Sequence, residues 1–542
     1  MEKRFTKIFW QAILVGLLTG LVVVAFRLGI ENLFGFVMSH FYSHPFVFLV
    51  VTTLGGLLAG IIIQKFAPET SGSGIPYVKM SLLKSGRLIR VRTVFVKFIA
   101  GILGIGTGLS LGREGPSVQL GAGVGSFVGK ISKLSGNNRD KLIASGAGAA
   151  IGATFNAPIA GTLFVLEELI HKFTPSMLFP TLVATVVSAG IARHFLGANP
   201  SFNVSLPQIT IEGSILPVCI VLGLISGVVG ILFSKTIFFF NNIYSKINIP
   251  NSCKPALAGF LTGLVGLALP YILSSGNGSV EMLMKGEFPI AIVCLIFVAK
   301  FIITPLCFGS GAAGGIFLPM LMLGSFLGYI TGFVANYFGA DVNIIAISSI
   351  GMAGFLASVA RTPITAVVMV FEMTGGYECI LPLMLTAAIA DMVAEKFNHK
   401  PIYAKLVVNQ YKNAGVNISE NTLVKDVMTF NVKIFNNDSN ILDILNIMNA
   451  EGHNAYPIQD KKGRLCGIIT RSDIEDVLVD NRMKSIAVSC ILETSPVTVY
   501  PDDNLYTAYY RLHENGTEWA IVIDKAEHVL GIITRQDVLK LS

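Results

Sequence analysis

Long apolar stretches that are interrupted by glycine, proline or a charged residue dominate roughly the first 400 of the 542 residues. A helix of about 20 apolar residues is enough to span a bilayer. Where such a helix is broken, its free backbone groups must be covered by protein or line a cavity, because lipid offers no hydrogen bonds. The pattern therefore predicts an all-α polytopic membrane protein, and the breaks favour a transporter or a channel.

Composition and charge indicate two domains. Charged residues make up only 13% of the chain and its mean hydropathy is +0.67, which excludes a soluble enzyme. Residues 1–410 carry 27 basic and 15 acidic side chains, a net charge of +12, whereas residues 411–542 carry 13 and 18, a net charge of −5. We therefore expect a membrane domain and a soluble domain that join near residue 410.

The basic membrane domain suits an anionic substrate better than a cationic one. A divalent-cation transporter would need clustered carboxylates along its pore, and this domain is poor in acids. The chain has no long basic run of the kind that would indicate a nucleic-acid partner. The seven scattered cysteines form no CxxC pair, so neither a disulfide framework nor a metal site is predicted. Basic residues ahead of the first apolar stretch predict a cytoplasmic N-terminus in a cell membrane.

The membrane domain contains an internal repeat. Three pairs of similar segments lie 205–207 residues apart in the same order: 15–22 with 222–229, 54–57 with 261–264, and 158–167 with 363–372. They predict two halves, residues 1–205 and 206–410, with the substrate site where the halves meet. The spacing leaves open whether the halves are parallel or inverted.

Three glycine-rich strings interrupt the membrane domain: Gly-Ser-Gly-Ile-Pro at 72–76, Gly-Arg-Glu-Gly-Pro at 112–116 and Gly-Gly-Ile-Phe-Leu-Pro at 314–319. Glycine permits an unwound backbone, and proline suits the first turn of a following helix. Each string can therefore direct the free N–H groups of a helix N-terminus at an anion. Kinks or glycines that allow close packing are the alternative interpretation of any one string.

Two acidic positions in the membrane domain are candidates for proton chemistry, because an acid is costly there. An ionised Glu114 would compete with an anion and leave when protonated, which would link the two movements. Glu167 and Glu168 form an acidic pair, for which a helix end or a subunit contact is the alternative. Glu167 has a repeat mate in Glu372, which favours a structural role, whereas the mate of Glu168 is Met373.

Other charged residues of the membrane domain give weaker signals. Lys97 either adds positive potential near the 112–116 string or snorkels to the interface. Arg113 and Arg361 are predicted to be structural, and Asp391 and Glu395 to lie on a solvated helix face.

The three strings, in this order, resemble the signature motifs of the CLC chloride channels and transporters, and the resemblance extends from about residue 8 to Leu406. It implies an inverted-repeat, all-helical fold in a homodimer, with one ion pathway per subunit. By motif position, Ser73 resembles the central anion-coordinating serine. The backbone amides of Ile316 and Phe317 resemble the other anion ligands.

The resemblance also assigns roles to three further side chains. Glu114 resembles the gating glutamate of the family. Tyr403 resembles the tyrosine whose hydroxyl completes the anion site, although alone it would be interpreted as an interfacial aromatic. Exchangers of the family carry an acid at the position of Glu168 as the internal proton site, and channels commonly carry an apolar residue there. The resemblance thus implies an antiporter of chloride against protons, with a passive channel as the alternative.

Behind residue 410, short β-branched runs alternate with amphipathic segments, as in a soluble α/β module. Residues 465–473 match residues 529–537, which predicts two tandem modules at 422–480 and 485–542 after a linker at 411–421. The strings resemble a regulatory CBS-domain pair on the cytoplasmic side. The resemblance implies that residues of both modules hold an adenine nucleotide. The alternative is a CBS pair that binds nothing and only scaffolds the dimer. No other cofactor is expected. The candidates are Thr470, Asp473, Thr534 and Asp537.

Overall fold

The structure is a computed structural model, and it divides into two compact units, Met1–Val407 and Val408–Ser542. The junction of the predicted halves, most of the predicted linker and the join between the predicted modules lie outside the described residues. The described residues are 2–41, 44–83, 88–134, 136–171, 173–198, 201–202, 215–413, 422–453, 455–471, 473–474, 488, 492, 496–514, 517, 519–534 and 537.

The first unit is built from helices. Those of its first half are α1 Glu2–Phe41, α2 Pro45–Phe66, α3 Ile75–Leu83, α4 Val91–Gly106, α5 Glu114–Ile131, α6 Asn137–Phe155, α7 Pro158–Phe164 and α8 Pro175–Leu196. Those that follow are α9 Ile215–Lys246, α10 Lys254–Ala268, α11 Asn277–Met284, α12 Ile290–Gly309, α13 Phe317–Tyr337, α14 Ile344–Ala360, α15 Pro363–Thr374, α16 Ile380–Lys396 and α17 Ile402–Asn413.

Length and composition make this unit a membrane-spanning domain. Large apolar side chains are exposed along several of its helices, among them Phe46, Val186 and Phe239, as expected for surfaces that face lipid. Within the described ranges, six helices are long and apolar enough to cross a membrane: Ile8–His40, Phe46–Phe66, Pro175–Leu196, Ile215–Lys246, Ile290–Gly309 and Phe317–Tyr337.

The helix breaks follow the glycine and proline positions. The chain leaves α4 at Gly106 and begins α5 only at Glu114, and a similar break separates α12 from α13. Pro158 and Pro363 stand in the first turns of α7 and α15, where the missing N–H has no intrahelical partner to lose. As a result, short helices begin and end inside the domain and leave backbone N–H groups there.

Close helix packing in both halves depends on glycine. A Cβ atom on Gly121 of α5 would lie 2.1 Å from the carbonyl oxygen of Gly146 in α6. The equivalent contact in the second half joins α13 to α14, where a Cβ on Gly324 would lie 2.5 Å from the carbonyl oxygen of Gly351. Because side chains would force these backbones apart, much of the glycine excess serves helix packing.

The two halves meet through equivalent residues. Gly112 and Gly315, which are 203 residues apart, form an antiparallel bridge in which each N–H donates to the other carbonyl oxygen at 2.7 Å. A reciprocal contact between equivalent residues is what a two-fold axis relating the halves produces. The breaks before α5 and α13 are thereby held side by side.

The second unit contains two modules of the same topology. The first consists of β1 Phe435–Asn436, α18 Ile441–Glu451, β2 Ala455–Gln459 and β3 Leu465–Thr470. The second consists of β4 Thr498–Val499, α19 Leu505–Glu514, β5 Trp519–Ile523 and β6 Val529–Thr534. In each module the first two strands are parallel and the last two antiparallel.

The modules are joined through their backbones. Thr429, which precedes the first module's sheet, bridges Ile532 of β6, and Leu423 bridges Asn504 ahead of α19. Arg464 and His528 form a further bridge between the two copies. The segment at 422–429 therefore pairs with the second module, which makes the tandem copies one unit.

Candidate functional site

Glu114 is the first residue of α5 and is completely buried. Its Oε2 atom accepts a hydrogen bond of 3.4 Å from the N–H of Leu318, in the first turn of α13. Arg113 and Lys300 also interact electrostatically with this carboxylate. The N-terminal N–H groups of a helix have no intrahelical partner and carry partial positive charge. The carboxylate thus lies where the N-terminus of a helix from the other half receives negative charge.

Ser73 lies beside the first turn of α5. Gly72 and Gly74 on either side of it have φ values of +73° and +98°, which other residues rarely adopt, and α3 begins at Ile75. A Cβ on Gly115 would be only 2.2 Å from the Ser73 Oγ, so the hydroxyl contacts the α5 backbone. This hydroxyl is buried and finds no hydrogen-bond partner among the described residues.

Ile316 and Phe317 form the start of α13. Ile316 is the N-cap residue and Phe317 the first helical residue, and both side chains are buried. The Phe317 ring packs against Phe155 and Phe164 of the first half, with ring centroids 5.7 and 6.1 Å apart. These contacts hold the N-terminus of α13 beside Glu114.

Tyr403, in the first turn of α17, is completely buried. It is close enough to Glu114 and Glu168 to interact electrostatically with both carboxylates. In the part of the chain that the structure describes, no group is hydrogen-bonded to the Tyr403 hydroxyl or to Oε1 of Glu114. The structure therefore brings together the predicted residues Ser73, Glu114, Ile316, Phe317 and Tyr403.

Glu168 lies in a π-helical turn, Val165–Ile170, that follows α7. Its Oε1 atom is 2.5 Å from the Nζ atom of Lys79 in α3, and both side chains are buried. Lys79 Nζ is also 3.4 Å from Nε2 of His171, which has a left-handed backbone conformation directly after the π-helical turn. Sequence reasoning missed Lys79 and His171, although a lysine on a short apolar helix is itself a signal of function.

Glu167 has a different role from its neighbour. Its carboxylate accepts hydrogen bonds from the N–H groups of Ile364 and Thr365 at the start of α15, at 3.1 and 2.6 Å. Glu372, its repeat mate, accepts equivalent bonds from Ile159 and Ala160 at the start of α7, at 3.2 and 2.7 Å. Each half therefore caps a helix of the other half, in agreement with the structural role predicted for this pair.

Two buried lysines, Lys97 and Lys300, each hold a loop by hydrogen bonds to its backbone carbonyl oxygens. Lys97 is completely buried and donates to the carbonyl oxygens of Thr70 and Gly72 at 2.8 and 2.5 Å, so it does not snorkel to the interface. Lys300, 203 residues later, donates to Ile272 and Ser274 at 2.9 Å each. Lys97 thus fixes the loop that carries Ser73.

The remaining charged residues form ion pairs. Arg113 pairs with Glu31 of α1 at 2.7 Å, which fits the predicted structural role. Arg361 pairs with Asp391 and, at 3.5 Å, with Glu395. Asp391 is therefore part of an ion pair at the end of α16, whereas Glu395 is exposed as predicted. No cluster of potential metal ligands occurs in the described ranges.

The nucleotide-binding candidates are paired within each module. Asp473 accepts hydrogen bonds from the N–H and hydroxyl of Thr470, at 2.9 and 2.8 Å. Asp537 accepts the same two bonds from Thr534, at 3.0 and 2.6 Å. Both pairs stand at the ends of equivalent strands, β3 and β6. The structure thus creates two copies of one polar corner, which are used at least for local capping.

Both units have known relatives. Residues 55–395 match the family described as voltage gated chloride channel, and residues 424–480 and 488–542 each match the CBS domain. The H+/Cl− exchange transporter ClcA of Vibrio cholerae is 33% identical over 430 residues, which cover 76% of this chain and 91% of that protein.

Solved structures share the architecture. A slow cyanobacterial Cl−/H+ antiporter superposes with a TM-score of 0.70 at 29% identity, over 75% of this chain and 99% of the other. A eukaryotic CLC transporter superposes with a TM-score of 0.69 at 19% identity over 99% of both chains, which shows the fold alone. The predicted fold class is confirmed: a helical membrane domain of the CLC architecture followed by an α/β CBS pair.

Proposed function

Because this chain belongs to the voltage-gated chloride channel family, we propose that it is a secondary active antiporter that exchanges chloride for protons across a membrane. The relatives named as H+/Cl− exchange transporters support this function over a passive channel. Such a protein is a transporter and performs no enzymatic conversion. The ions are its substrates, and it needs no resident cofactor in the membrane domain.

The observation that carries this proposal is the position of the Glu114 carboxylate. It is buried at the α13 N-terminus and accepts a hydrogen bond from Leu318, as a bound anion would. When ionised, Glu114 occupies the place of an anion. When protonated it loses its charge, and with it most of its attraction to the helix N-terminus, so chloride replaces it. One group then links proton binding to anion movement.

Chloride in this proposal is bound by dipoles and not by a full cation. The Ser73 and Tyr403 hydroxyls and the backbone amides of Ile316 and Phe317 are the ligands. The two hydroxyls are buried and have no hydrogen-bond partner in the described part of the chain. A chloride ion that accepts a hydrogen bond from each of them would satisfy both. A site of this kind holds the anion weakly enough for release.

Glu168 is the internal proton site of the proposal. Its carboxylate is buried. Tyr403 interacts electrostatically with this carboxylate and with that of Glu114, so both acids lie near the same tyrosine. Glu167 is unsuited to this task because it caps α15. Protons therefore pass between Glu168 and Glu114 while chloride passes Tyr403.

The assembly and the soluble unit complete the proposal. We infer a homodimer with one ion pathway per subunit, and a CBS pair on the cytoplasmic side together with the N-terminus. An adenine nucleotide at the Thr470–Asp473 and Thr534–Asp537 corners would regulate transport by binding one state of the dimer more tightly. In isothermal titration of the full chain with ATP, Asp473→Ala and Asp537→Ala should weaken binding, and Asp443→Ala, an exposed control, should not. Equal binding in all variants contradicts this assignment.

Exchange of Glu114 tests the proposed mechanism. Glu114→Gln keeps the side-chain shape but can neither ionise nor carry a proton. In proteoliposomes we expect chloride flux to continue and proton uptake against a gradient to vanish. Glu287→Gln, an exposed control between α11 and α12, should leave both fluxes unchanged. Coupled uptake at the wild-type ratio in Glu114→Gln would contradict the assigned role.

A further inference from the structure

Lys79 lies between two groups that can bind protons. Its Nζ atom is 2.5 Å from Oε1 of Glu168 and 3.4 Å from Nε2 of His171. The Glu168 side chain is 1% exposed and that of Lys79 is fully buried. His171 is partly exposed. The three side chains therefore form a line from the protein surface to the buried carboxylate.

Local backbone structure creates this line. Glu168 lies in the π-helical turn Val165–Ile170, whose i→i+5 hydrogen bonding follows α7, and its side chain is buried there. The left-handed conformation of His171, with φ of 55°, ends the turn and brings the imidazole to Lys79. Lys79 comes from α3, the same short helix that begins two residues after Ser73. One helix thus connects the proton site with the anion site.

The charged and titratable surroundings of Glu168 single out Lys79. Among the described residues, Lys79, Glu167 and Tyr403 interact electrostatically with its carboxylate. Glu167 is occupied with the N-terminus of α15, and Tyr403 interacts electrostatically with Glu114 as well as with Glu168. The hydrogen-bond partner of Glu168 in the described part of the chain is Lys79. A proton from the surface therefore reaches Glu168 most directly through the Lys79 ammonium.

We propose that Lys79 relays protons between His171 and Glu168, an inference that rests on the proposed role of Glu168 as the internal proton site. The relay has two linked transfers. Lys79 gives one N–H proton to Oε1 of Glu168, so an N–H bond breaks and an O–H bond forms. The His171 imidazolium gives its Nε2 proton to the Lys79 amine. The ammonium is restored, the imidazole becomes neutral, and the carboxylate has become a carboxylic acid.

An ion pair that only braces the structure predicts different behaviour. Arginine preserves the positive charge and the pairing, but its guanidinium does not give up a proton in proteins. Lys79→Arg therefore separates a relay from a brace. His171→Ala removes the surface end of the line, and added imidazole can replace the missing ring because the position is partly exposed.

The test uses the full chain in proteoliposomes and measures the ratio of proton flux to chloride flux. We expect Lys79→Arg and His171→Ala to lower this ratio about tenfold or more, since positioned proton transfer contributes at least that much. Millimolar imidazole should restore the ratio in His171→Ala. Imidazole should not restore the ratio in Glu168→Gln. This variant is the control for protons that imidazole itself carries across the membrane.

The outcomes distinguish the relay from the function on which it rests. Wild-type ratios in Lys79→Arg and His171→Ala, together with a collapsed ratio in Glu168→Gln, would overturn the relay and leave Glu168 in its role. A wild-type ratio in Glu168→Gln would remove the proposed proton site and the relay with it. If Lys79→Arg does not fold, the imidazole experiment decides: a lowered ratio that imidazole restores supports the relay, and a wild-type ratio or absent rescue overturns it.

Discussion

At the scale of residues, the candidate site is defined by buried polar atoms that lack protein partners. Ser73, Glu114 and Tyr403 each present such an oxygen among the described residues, and they come from three separate segments. Buried polar groups are normally satisfied, so their convergence indicates a ligand. Other buried polar side chains nearby, such as Lys97 and Lys300, are bonded to backbone carbonyls and serve the loops.

The Tyr403 hydroxyl provides a test at this scale. A hydrogen bond to a charged group contributes about 1.5–3 kcal/mol. We therefore expect Tyr403→Phe to weaken chloride binding by about tenfold or more. Isothermal titration with chloride measures this effect, and Tyr244→Phe, a buried tyrosine of α9, serves as the control. Unchanged binding in Tyr403→Phe would remove its hydroxyl from the anion site.

Sequence reasoning identified some site residues and missed others for a physical reason. Glu114 and Ser73 could be identified from sequence because each lies within a short string whose glycines and prolines indicate a broken helix. The Lys79–Glu168 contact spans 89 positions and depends on a π-helical turn that no local pattern predicts. Tyr403 was assigned only by resemblance, since a tyrosine near a helix end has a common interfacial explanation.

At the scale of elements, helix ends determine both stability and chemistry. The N-termini of α5 and α13 are directed to the candidate anion site, and those of α7 and α15 receive the carboxylates of Glu372 and Glu167. The same physical property, free N–H groups with positive potential, serves fixed carboxylates at α7 and α15 and, in the proposed function, a mobile anion at α5 and α13. The reciprocal caps link the two halves.

The caps lead to a prediction about stability. Glu372→Ala removes the acceptor for two N–H groups of α7, and loss of a helix cap costs about 0.5–2 kcal/mol. We expect a lower thermal unfolding midpoint in detergent and an unchanged ratio of proton to chloride flux. Glu287→Ala removes an exposed acid of the same charge and should leave the midpoint unchanged. A lost flux ratio at an unchanged midpoint would contradict the structural role of Glu372.

Periodicity and composition predicted the type of element better than its boundaries. The apolar stretch near 142–170 contains α6, α7 and the π-helical turn, because Pro158 starts a new helix within it. The repeat was recognised at spacings of 205–207, but Gly112 and Gly315 are related at 203, since loops of unequal length separate the helices. The backbone bridge between Gly112 and Gly315 pairs the 112–116 string with the 315–319 string as equivalent segments.

At the scale of the whole molecule, the split in net charge predicted two units with different solvents. The basic first unit contains the proposed anion site at helix N-termini, and the acidic second unit is a pair of α/β modules. The membrane domain has few acids, and four of them have distinct tasks: Glu167 and Glu372 cap helices, and the buried Glu114 and Glu168 are the residues proposed to move protons. Pairing of 422–429 with the second module could not be predicted, because the sequence places this segment at the start of the first module, 422–480.

The central claim is that the protein couples the movement of chloride to the movement of protons in the opposite direction. Proteoliposomes loaded with high chloride, diluted into low chloride and clamped electrically with potassium and valinomycin, test it directly. We predict that chloride efflux drives protons inward against their own gradient, so that the external pH rises from the moment the clamp is applied. Chloride efflux without uphill proton movement would contradict the exchange mechanism and identify the protein as a passive channel.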